Sequence, residues 1–218
     1  MKKGLGRLNS KDPRDAAFPA RMLLQQNLPV KTRRYWNASG WWGDQLLTSK
    51  CTSYSALHWV EDGPVTHEGN APVIDPHELY ILIQSFDPWK FPHDGSTIRA
   101  TAKALQHLGY AGSYYWTNSL QEMIDCLLHV GPLIIGIDWY EGMSEPNEKG
   151  IGSRSGAMEG GHAIKVDGVD TKTRLFRLKN SWGREYGRKG FVYLPFDDME
   201  VLIKDQYAEV MIATEVKK

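Results

Sequence analysis

The spacing of apolar residues changes near the middle of the chain, and this change restricts the folds that it can adopt. In the first half, Tyr54, Leu57 and Val60 recur at the spacing of a helix. In the second half, short apolar segments are separated by turns that contain Gly, Asn or Asp. These strand-like segments are residues 133–139, 162–169, 173–179, 190–194 and 208–213. Helices followed by strands predict an α+β protein with two lobes.

Four helix starts can be placed from local signals. We expect helices to begin at Cys51, at Pro76, and after a cap at Ser96 or Thr97. A fourth helix is expected after Ser119, which begins a capping box. Before these helices, residues 1–40 are irregular and rich in Arg, Lys, Pro and Asn, so we expect an extended segment that packs on the body.

Composition excludes several classes of function. The 26 basic and 26 acidic residues cancel, so net charge gives no reason to expect a nucleic acid or an anionic membrane as partner. Two cysteines do not make a secreted disulfide scaffold. No apolar segment follows Lys2 and Lys3 as a secretory signal would require, and residues 133–137 are too short to span a bilayer. We therefore expect a cytoplasmic or virus-associated protein.

Cys51 is the candidate nucleophile. A free thiol is mostly protonated at neutral pH, but the backbone N–H groups at a helix N-terminus lower the pKa of a thiol placed there. An imidazolium beside it would lower the pKa further, and His162 is the candidate. Taken alone, a cysteine at a helix start is more often a small buried apolar residue than a nucleophile.

Three further residues complete the expected site. Gln45 lies six residues before Cys51, and its amide would form an oxyanion hole together with the Cys51 backbone N–H. The amide oxygen of Asn180 would hold the His162 ring. Trp182 would cover that hydrogen bond and keep water away from it.

These segments resemble those of papain-like cysteine peptidases. The matching parts are the segment from Gln45 to Cys51, the Gly-His-Ala segment at residues 161–163 and the Lys-Asn-Ser-Trp-Gly segment at residues 179–183. The resemblance covers roughly residues 41–213, and the segment around Asn180 is its most specific part. It implies a two-lobed papain-like fold, with a helical left lobe, a β-barrel-like right lobe and the active-site cleft between them.

The resemblance also implies a division of the chain. Residues 1–40 would be the N-terminal segment, residues 41–118 the helical lobe with the nucleophile, and residues 119–218 the β-rich lobe with His162 and Asn180. The implied activity is hydrolysis of peptide bonds in a polypeptide substrate through an acyl-thioester. Neither a cofactor nor a metal is expected, and the protein should act as a monomer.

Two positions depart from the usual family pattern. Thr48 stands where the family has a second cysteine, so the usual nearby disulfide is absent. Thr52 stands where an aromatic residue usually follows the nucleophile. These departures indicate the trimmed, disulfide-free type found in bacteria and their viruses.

The resemblance further implies the substrate-binding residues. Gly95 and Ser96 should border the cleft and hydrogen-bond an extended substrate backbone, as in strand addition. Trp182 should also lie beside the substrate. Ala163 should line the pocket for the side chain that precedes the scissile residue. Asp205 is placed at the floor of that pocket, where it would favour Arg or Lys.

The remaining candidate sites have simpler interpretations. Cys126 lies on an apolar helix face and should be structural. The Asn-Ala-Ser tripeptide at residues 37–39 matches a glycosylation acceptor by chance. The other histidines have no zinc-like spacing to a cysteine and are expected to be surface or core residues. They are His58, His67, His77, His93, His107 and His129.

Two other functions stay open at this point. One is a catalytically silent papain-like protein that binds partners or builds a viral particle. The other is a different Cys–His acyl enzyme, such as a cell-wall amidase or a transglutaminase. The segment around Asn180 argues against the second alternative, because those enzymes orient the imidazole with other groups.

Overall fold

The computed structural model describes residues 4–10, 12–36, 40–63 and 72–216. Two short 3₁₀ helices, Pro13–Ala17 and Ala20–Leu23, precede the main body. The α-helices are α1 Cys51–Asp62, α2 Pro76–Gln84, α3 Ile98–His107, α4 Leu120–His129, α5 Glu141–Ser144 and α6 Phe196–Lys204. The strands are β1 Arg33–Tyr35, β2 Ala111–Thr117, β3 Leu133–Tyr140, β4 Met158–Asp170, β5 Leu175–Lys179, β6 Phe191–Pro195 and β7 Glu209–Glu215.

The helix starts follow the local signals in the sequence. The Asp75 side chain caps α2, in which Pro76 is the first residue. Thr97, rather than Ser96, caps α3 by accepting the Ala100 N–H at 3.0 Å. Ser119 caps α4 as expected. We did not expect β1, β2 or α6, which have no comparable signal at their starts.

The seven strands form one antiparallel sheet. Their order is β2-β7-β3-β4-β5-β6, and β1 pairs with β4 beside this path. The expected barrel-like closure was wrong, because β2 and β6 remain at opposite edges of the sheet. Irregular segments cover the two edges instead: Pro19 bridges Trp116 of β2, and Ile151 bridges Tyr193 of β6. An edge covered in this way does not need to pair with the opposite edge.

Both faces of the sheet are buried. Successive side chains of a strand point to opposite faces. Leu133, Ile135 and Ile137 of β3 therefore join a cluster with α4 and α6, whereas Ile134 joins a second cluster with α1, α2 and α3. Burial on both faces explains why this strand is a continuous apolar run in the sequence.

A buried cluster of charges joins the end of α1 to β4 and β5. The Asp62 carboxylate accepts hydrogen bonds from Lys165 at 2.5 Å and from Lys179 at 2.7 Å, and all three side chains are fully buried. Burial opposes the charge on Asp62, but the two ammonium groups outweigh it and hold its pKa well below the ordinary value. Lys165 shares β4 with His162, and Lys179 directly precedes Asn180. The cluster therefore fastens α1 to the strands that carry these two residues.

Candidate active site

Cys51 is the first residue of α1 and is completely buried. No side chain caps the helix, and the N–H groups of Cys51 and Thr52 act on the thiol. The backbone N–H of Ala163, on β4, donates to the sulfur at 3.4 Å. This hydrogen bond brings the thiol of α1 against the strand residue next to His162.

His162 is oriented by Asn180. Its Nε2 lies 2.9 Å from Asn180 Oδ1, which also accepts the Ser181 backbone N–H at 2.8 Å. Because Oδ1 is an acceptor, Nε2 must carry the proton of the neutral imidazole. The other ring nitrogen, Nδ1, is then an unprotonated base, and it has no hydrogen-bond partner in the described part of the chain.

Two indole rings enclose the imidazole. The ring centroid of Trp182 lies 5.1 Å from that of His162. The ring of Trp139, on β3, lies closer, at 4.7 Å. We did not predict Trp139 from the sequence, where it is one of several aromatic residues in an apolar strand. Its position opposite Gly160 in the β3–β4 ladder places it beside His162.

The Gln45 side chain is held by hydrogen bonds to Ser181, Gly4 and Thr48. Its Oε1 accepts the Ser181 hydroxyl at 2.5 Å, and its backbone N–H donates to the Ser181 carbonyl at 2.8 Å. The side-chain Nε2 donates to the Gly4 carbonyl at 3.1 Å and to the Thr48 carbonyl at 2.7 Å. Trp182 Nε1 also donates to the Gly4 carbonyl, at 3.3 Å. A peptide carbonyl oxygen therefore already lies at the expected oxyanion donor.

Residues 4–8 run through the candidate cleft and bond to both of its sides. On one side, the Ser96 N–H donates to the Gly6 carbonyl and the Leu8 N–H donates to the Ser96 carbonyl, both at 2.8 Å. On the other side, the Gly161 carbonyl accepts the N–H groups of Gly6 at 3.0 Å and Arg7 at 2.9 Å. The chain therefore places an extended segment of its own in the candidate cleft, and Ser96 hydrogen-bonds to the backbone of that segment.

Glycines make this close passage possible. A Cβ on Gly6 would overlap the backbone of Ser49, and one on Gly4 would overlap the backbone of Thr48. Gly95 has a φ of +85°, and a Cβ there would lie 2.5 Å from the Gly6 carbonyl oxygen. The predicted cleft residue Gly95 thus contributes space rather than a hydrogen bond to residues 4–8.

Burial changes the ionisation of both catalytic candidates. It raises the pKa of the Cys51 thiol to about 11, although the N–H groups of Ala163, Gly6, Thr52 and Cys51 itself act to lower that pKa. It also lowers the pKa of His162 to about 4, against the opposing effect of the Asn180 hydrogen bond. The helix N-terminus acts in the predicted direction, but its effect is smaller than that of burial. With residues 4–8 in place, both groups are neutral at pH 7.

The acids that contact Arg7 are Glu209 and Asp138, and Asp205 is not among its contacts in the described part of the chain. Asp205 follows the end of α6 and is exposed, whereas the Glu209 carboxylate lies 3.0 Å from Arg7 Nε. Asp138 lies 3.3 Å from Arg7 Nη1. Ala163 pairs with Gly136 beside this arginine. An acidic residue at the start of a largely apolar strand was the signal that could have indicated Glu209.

The other candidates have structural surroundings. Cys126 is buried in the core, and both cysteines are free thiols. His58 Nε2 lies 2.5 Å from the Trp42 carbonyl, and His93 pairs with Asp87. His67 and the tripeptide at residues 37–39 lie outside the described residues. In the ranges that the structure describes, no cluster of three acidic, His or Cys side chains could hold a metal ion. The described helices also include none long and apolar enough to cross a membrane.

Comparison with solved structures identifies the fold. Xylellain, a cysteine protease from Xylella fastidiosa, superposes with a TM-score of 0.76 at 17% identity, covering 100% of this chain and 98% of that one. A procathepsin B S9 from Trypanosoma congolense gives a TM-score of 0.71 at 11% identity, covering 98% of this chain and 87% of that one. At such low identity these matches concern the fold alone, and they confirm the predicted papain-like α+β architecture.

Comparison with curated sequences and family models places the chain in a family. A cathepsin B-like cysteine proteinase 3 of Caenorhabditis elegans is 32% identical over 77 residues, which cover 34% of this chain and 21% of that protein. A protein of the same name from Ostertagia ostertagi is 29% identical over 91 residues, or 41% of this chain and 52% of that protein. The matches thus span about half or less of these relatives. The model of the papain family of cysteine proteases matches residues 51–211, which include Cys51, His162 and Asn180. The chain therefore belongs to the papain family of cysteine proteases.

Proposed function

We propose that this protein is a cysteine peptidase that hydrolyses peptide bonds in polypeptides. The supporting observation is the extended peptide, residues 4–8, that hydrogen-bonds along the cleft beside Cys51. A site built for a small molecule would not need backbone donors and acceptors spaced along an extended chain. Family membership supports the same reaction class.

The proposed mechanism assigns a role to each group of the candidate site. Nδ1 of His162 takes the proton of the Cys51 thiol, while Asn180 holds Nε2. The thiolate attacks the substrate carbonyl carbon, and the oxygen accepts hydrogen bonds from Gln45 Nε2 and the Cys51 N–H. The imidazolium then protonates the leaving amine, which gives an acyl-thioester. Water, deprotonated by His162, hydrolyses the thioester and restores the thiol.

Residues 4–8 must leave the cleft before a substrate can enter. In the described structure the Gly6 N–H donates to the Gly161 carbonyl and the Gly6 carbonyl accepts the Ser96 N–H, so residues 4–8 block the cleft. Their departure would also admit water, which lowers the thiol pKa and raises the imidazole pKa toward their ordinary values. The occupied cleft is therefore a resting state, and the open cleft is the active one.

We further infer a cleft between two lobes, a monomeric enzyme and a reducing compartment. The thiol comes from residues 41–118, and the imidazole and its amide partner come from residues 119–218, which is consistent with a cleft between two lobes. One chain supplies all four groups, so a monomer is sufficient for activity. The two free thiols are consistent with the reducing conditions of a cytoplasmic or virus-associated protein.

The test compares the wild-type protein with Cys51→Ala and with Cys126→Ala as the matched control. Hydrolysis of a broad set of fluorogenic peptides and labelling by an epoxide inhibitor are measured for each. We expect Cys51→Ala to lose both signals and Cys126→Ala to keep both. Full activity of Cys51→Ala would refute the assignment of the nucleophile. A folded wild-type protein that cleaves no peptide would favour a silent binding protein instead.

A further inference from the structure

The indole of Trp139 is held in one orientation beside the His162 imidazole. Trp139 is completely buried, and its Nε1 donates to the Ser144 hydroxyl oxygen at 3.0 Å. The Ser144 hydroxyl donates in turn to the Glu159 carboxylate. An indole N–H only donates and a carboxylate only accepts, so the direction of both hydrogen bonds is determined. The proton of the indole N–H is therefore taken by Ser144.

Ser144 itself belongs to a short helix that is tied to its surroundings on two sides. It is the last residue of α5. At the start of that helix the Glu141 N–H donates at 3.0 Å to the carbonyl of Ala157, the residue before β4. The Tyr186 hydroxyl donates to the Met143 carbonyl at 2.5 Å. These contacts give the Ser144 hydroxyl a defined position relative to β3 and β4.

The His162 ring is packed between two indoles. Trp139 meets it edge to face, with ring centroids 4.7 Å apart and an angle of 70° between the rings. Trp182 lies on another side at 5.1 Å, and the two indoles are 5.4 Å from each other. The hydrogen bond from Nε2 to Asn180 does not fix the ring plane alone, because the ring can turn about that bond. Close packing against the two indoles supplies the missing constraint.

A general base also needs an unengaged lone pair. Nδ1 of His162 has no hydrogen-bond partner among the described residues, and a second donor there would compete with the Cys51 thiol. Each neighbouring indole carries such a donor, and each has another acceptor. Trp182 Nε1 donates to the Gly4 carbonyl at 3.3 Å, and this acceptor leaves with residues 4–8. Ser144 is part of the body of the protein and holds the Trp139 N–H in both states.

We propose that Trp139 is a positioning residue for His162, and that Ser144, hydrogen-bonded to Glu159, holds Trp139 in place. The indole ring fixes the plane of the imidazole. The Ser144 hydroxyl takes the indole N–H, so that Nδ1 stays free to accept the thiol proton. The proposal rests on the proposed peptidase function, in which His162 is the base. The state of the two imidazole nitrogens can be measured without turnover.

The first test is ¹⁵N NMR of the His162 ring nitrogens in full-length protein with ¹⁵N-labelled histidine. At pH 7 the ring is neutral, because burial lowers its pKa to about 4, and His162→Gln identifies its signals. The wild-type protein should show an unprotonated Nδ1 that accepts no hydrogen bond. Ser144→Ala releases the indole N–H, so the Nδ1 signal should move upfield as it accepts that donor. Ser144→Thr keeps the hydroxyl and should keep the wild-type signal.

The second test is steady-state hydrolysis of a fluorogenic peptide. Trp139→Leu removes the ring and should lower kcat about two- to tenfold with KM little changed, since an edge-to-face ring contact contributes about that factor. Trp139→Phe keeps an aromatic ring and should retain more of the wild-type kcat. A loss that fell on KM instead would assign Trp139 to substrate binding and overturn the positioning role.

Two results of the NMR test would also overturn the proposal. One is an Nδ1 signal that is the same in wild-type protein and Ser144→Ala. The other is an equal shift in Ser144→Ala and Ser144→Thr, which would assign the change to disturbance of α5. Normal hydrolysis by wild-type protein with either result would refute the positioning role alone. The expected shift in a wild-type background that cleaves no peptide would refute the peptidase and leave the arrangement around His162 standing.

Discussion

A single added methyl group should open the cleft. Gly6 passes so close to the backbone of Ser49 that a Cβ would overlap the Ser49 carbonyl. The Gly6 φ is not positive, so Gly6→Ala adds overlap without backbone strain. Overpacking of this kind costs about 1–3 kcal/mol. The methyl group destabilises only the occupied state, because it is exposed to water once residues 4–8 have left the cleft.

This energy determines the expected change in reactivity. Since about 1.4 kcal/mol corresponds to a factor of ten, the open population should rise by about fivefold to about 150-fold. In the occupied state the Cys51 thiol is buried and has a pKa of about 11, so it should react only from the open state. The rate at which iodoacetamide alkylates Cys51 should therefore increase by the same factor.

The assay is mass spectrometry of each cysteine during alkylation at pH 7.5. Cys126, which is buried in the core, serves as an internal reference whose rate should not change. The matched control is Gly112→Ala, where the added Cβ would lie 3.2 Å from the nearest atom, a side-chain oxygen of Thr214. Equal alkylation rates of Cys51 in wild-type protein and a folded Gly6→Ala variant would refute the idea that residues 4–8 protect the thiol.

Three further predictions concern Asn180, Asp62 and His162. Asn180→Ala should lower kcat by on the order of 10²-fold with KM little changed, because the His162 ring loses its orienting hydrogen bond; steady-state kinetics check this, and an unchanged kcat would contradict it. Asp62→Asn should cost about 3–5 kcal/mol in urea unfolding, because it removes the carboxylate that contacts both buried ammonium groups and leaves Lys165 with Asp167 at 3.9 Å. As a control, Asp197→Asn at an exposed ion pair should lower the free energy of unfolding by less than about 1 kcal/mol. Equal losses in the two variants would contradict the stabilising role of the buried cluster. The folded state holds the pKa of His162 at about 4 against an ordinary 6.5, so its contribution to stability is complete above pH 6.5 and is lost as the pH falls toward 4. Between pH 6.5 and pH 4, the free energy of unfolding of the wild-type protein in urea should fall by up to about 3 kcal/mol more than that of His162→Gln. Parallel pH profiles of the two proteins would contradict the lowered pKa of His162.

Local signals explain which elements could be predicted. The caps at Asp75, Thr97 and Ser119 and the apolar strand at β3 depend on neighbouring residues, so their positions can be read from the chain. The strand β2 contains Gly112 and Ser113 and pairs through a register shift with β7, so its sequence does not show a regular alternation. Its existence depends on a partner strand far along the chain.

The sequence by itself indicated which chemical groups form the candidate site. The thiol at a helix start, the imidazole, the amide donor and the orienting amide each belong to a short segment of characteristic composition. The papain-like fold follows from those segments because their order along the chain matches that of the family.

Only the tertiary structure decided how those groups are held and what occupies the space between them. In the folded protein, residues 4–8 lie in the cleft beside Cys51. Glu209, rather than Asp205, contacts the Arg7 side chain, and Asp62 links α1 to β4 through its hydrogen bond with Lys165. The tertiary structure also reversed the expected pKa of the thiol, since burial outweighs the helix N-terminus. The physical reason is the same in each case: burial and charge pairing arise between residues far apart along the chain, and local composition carries no information about which of them meet.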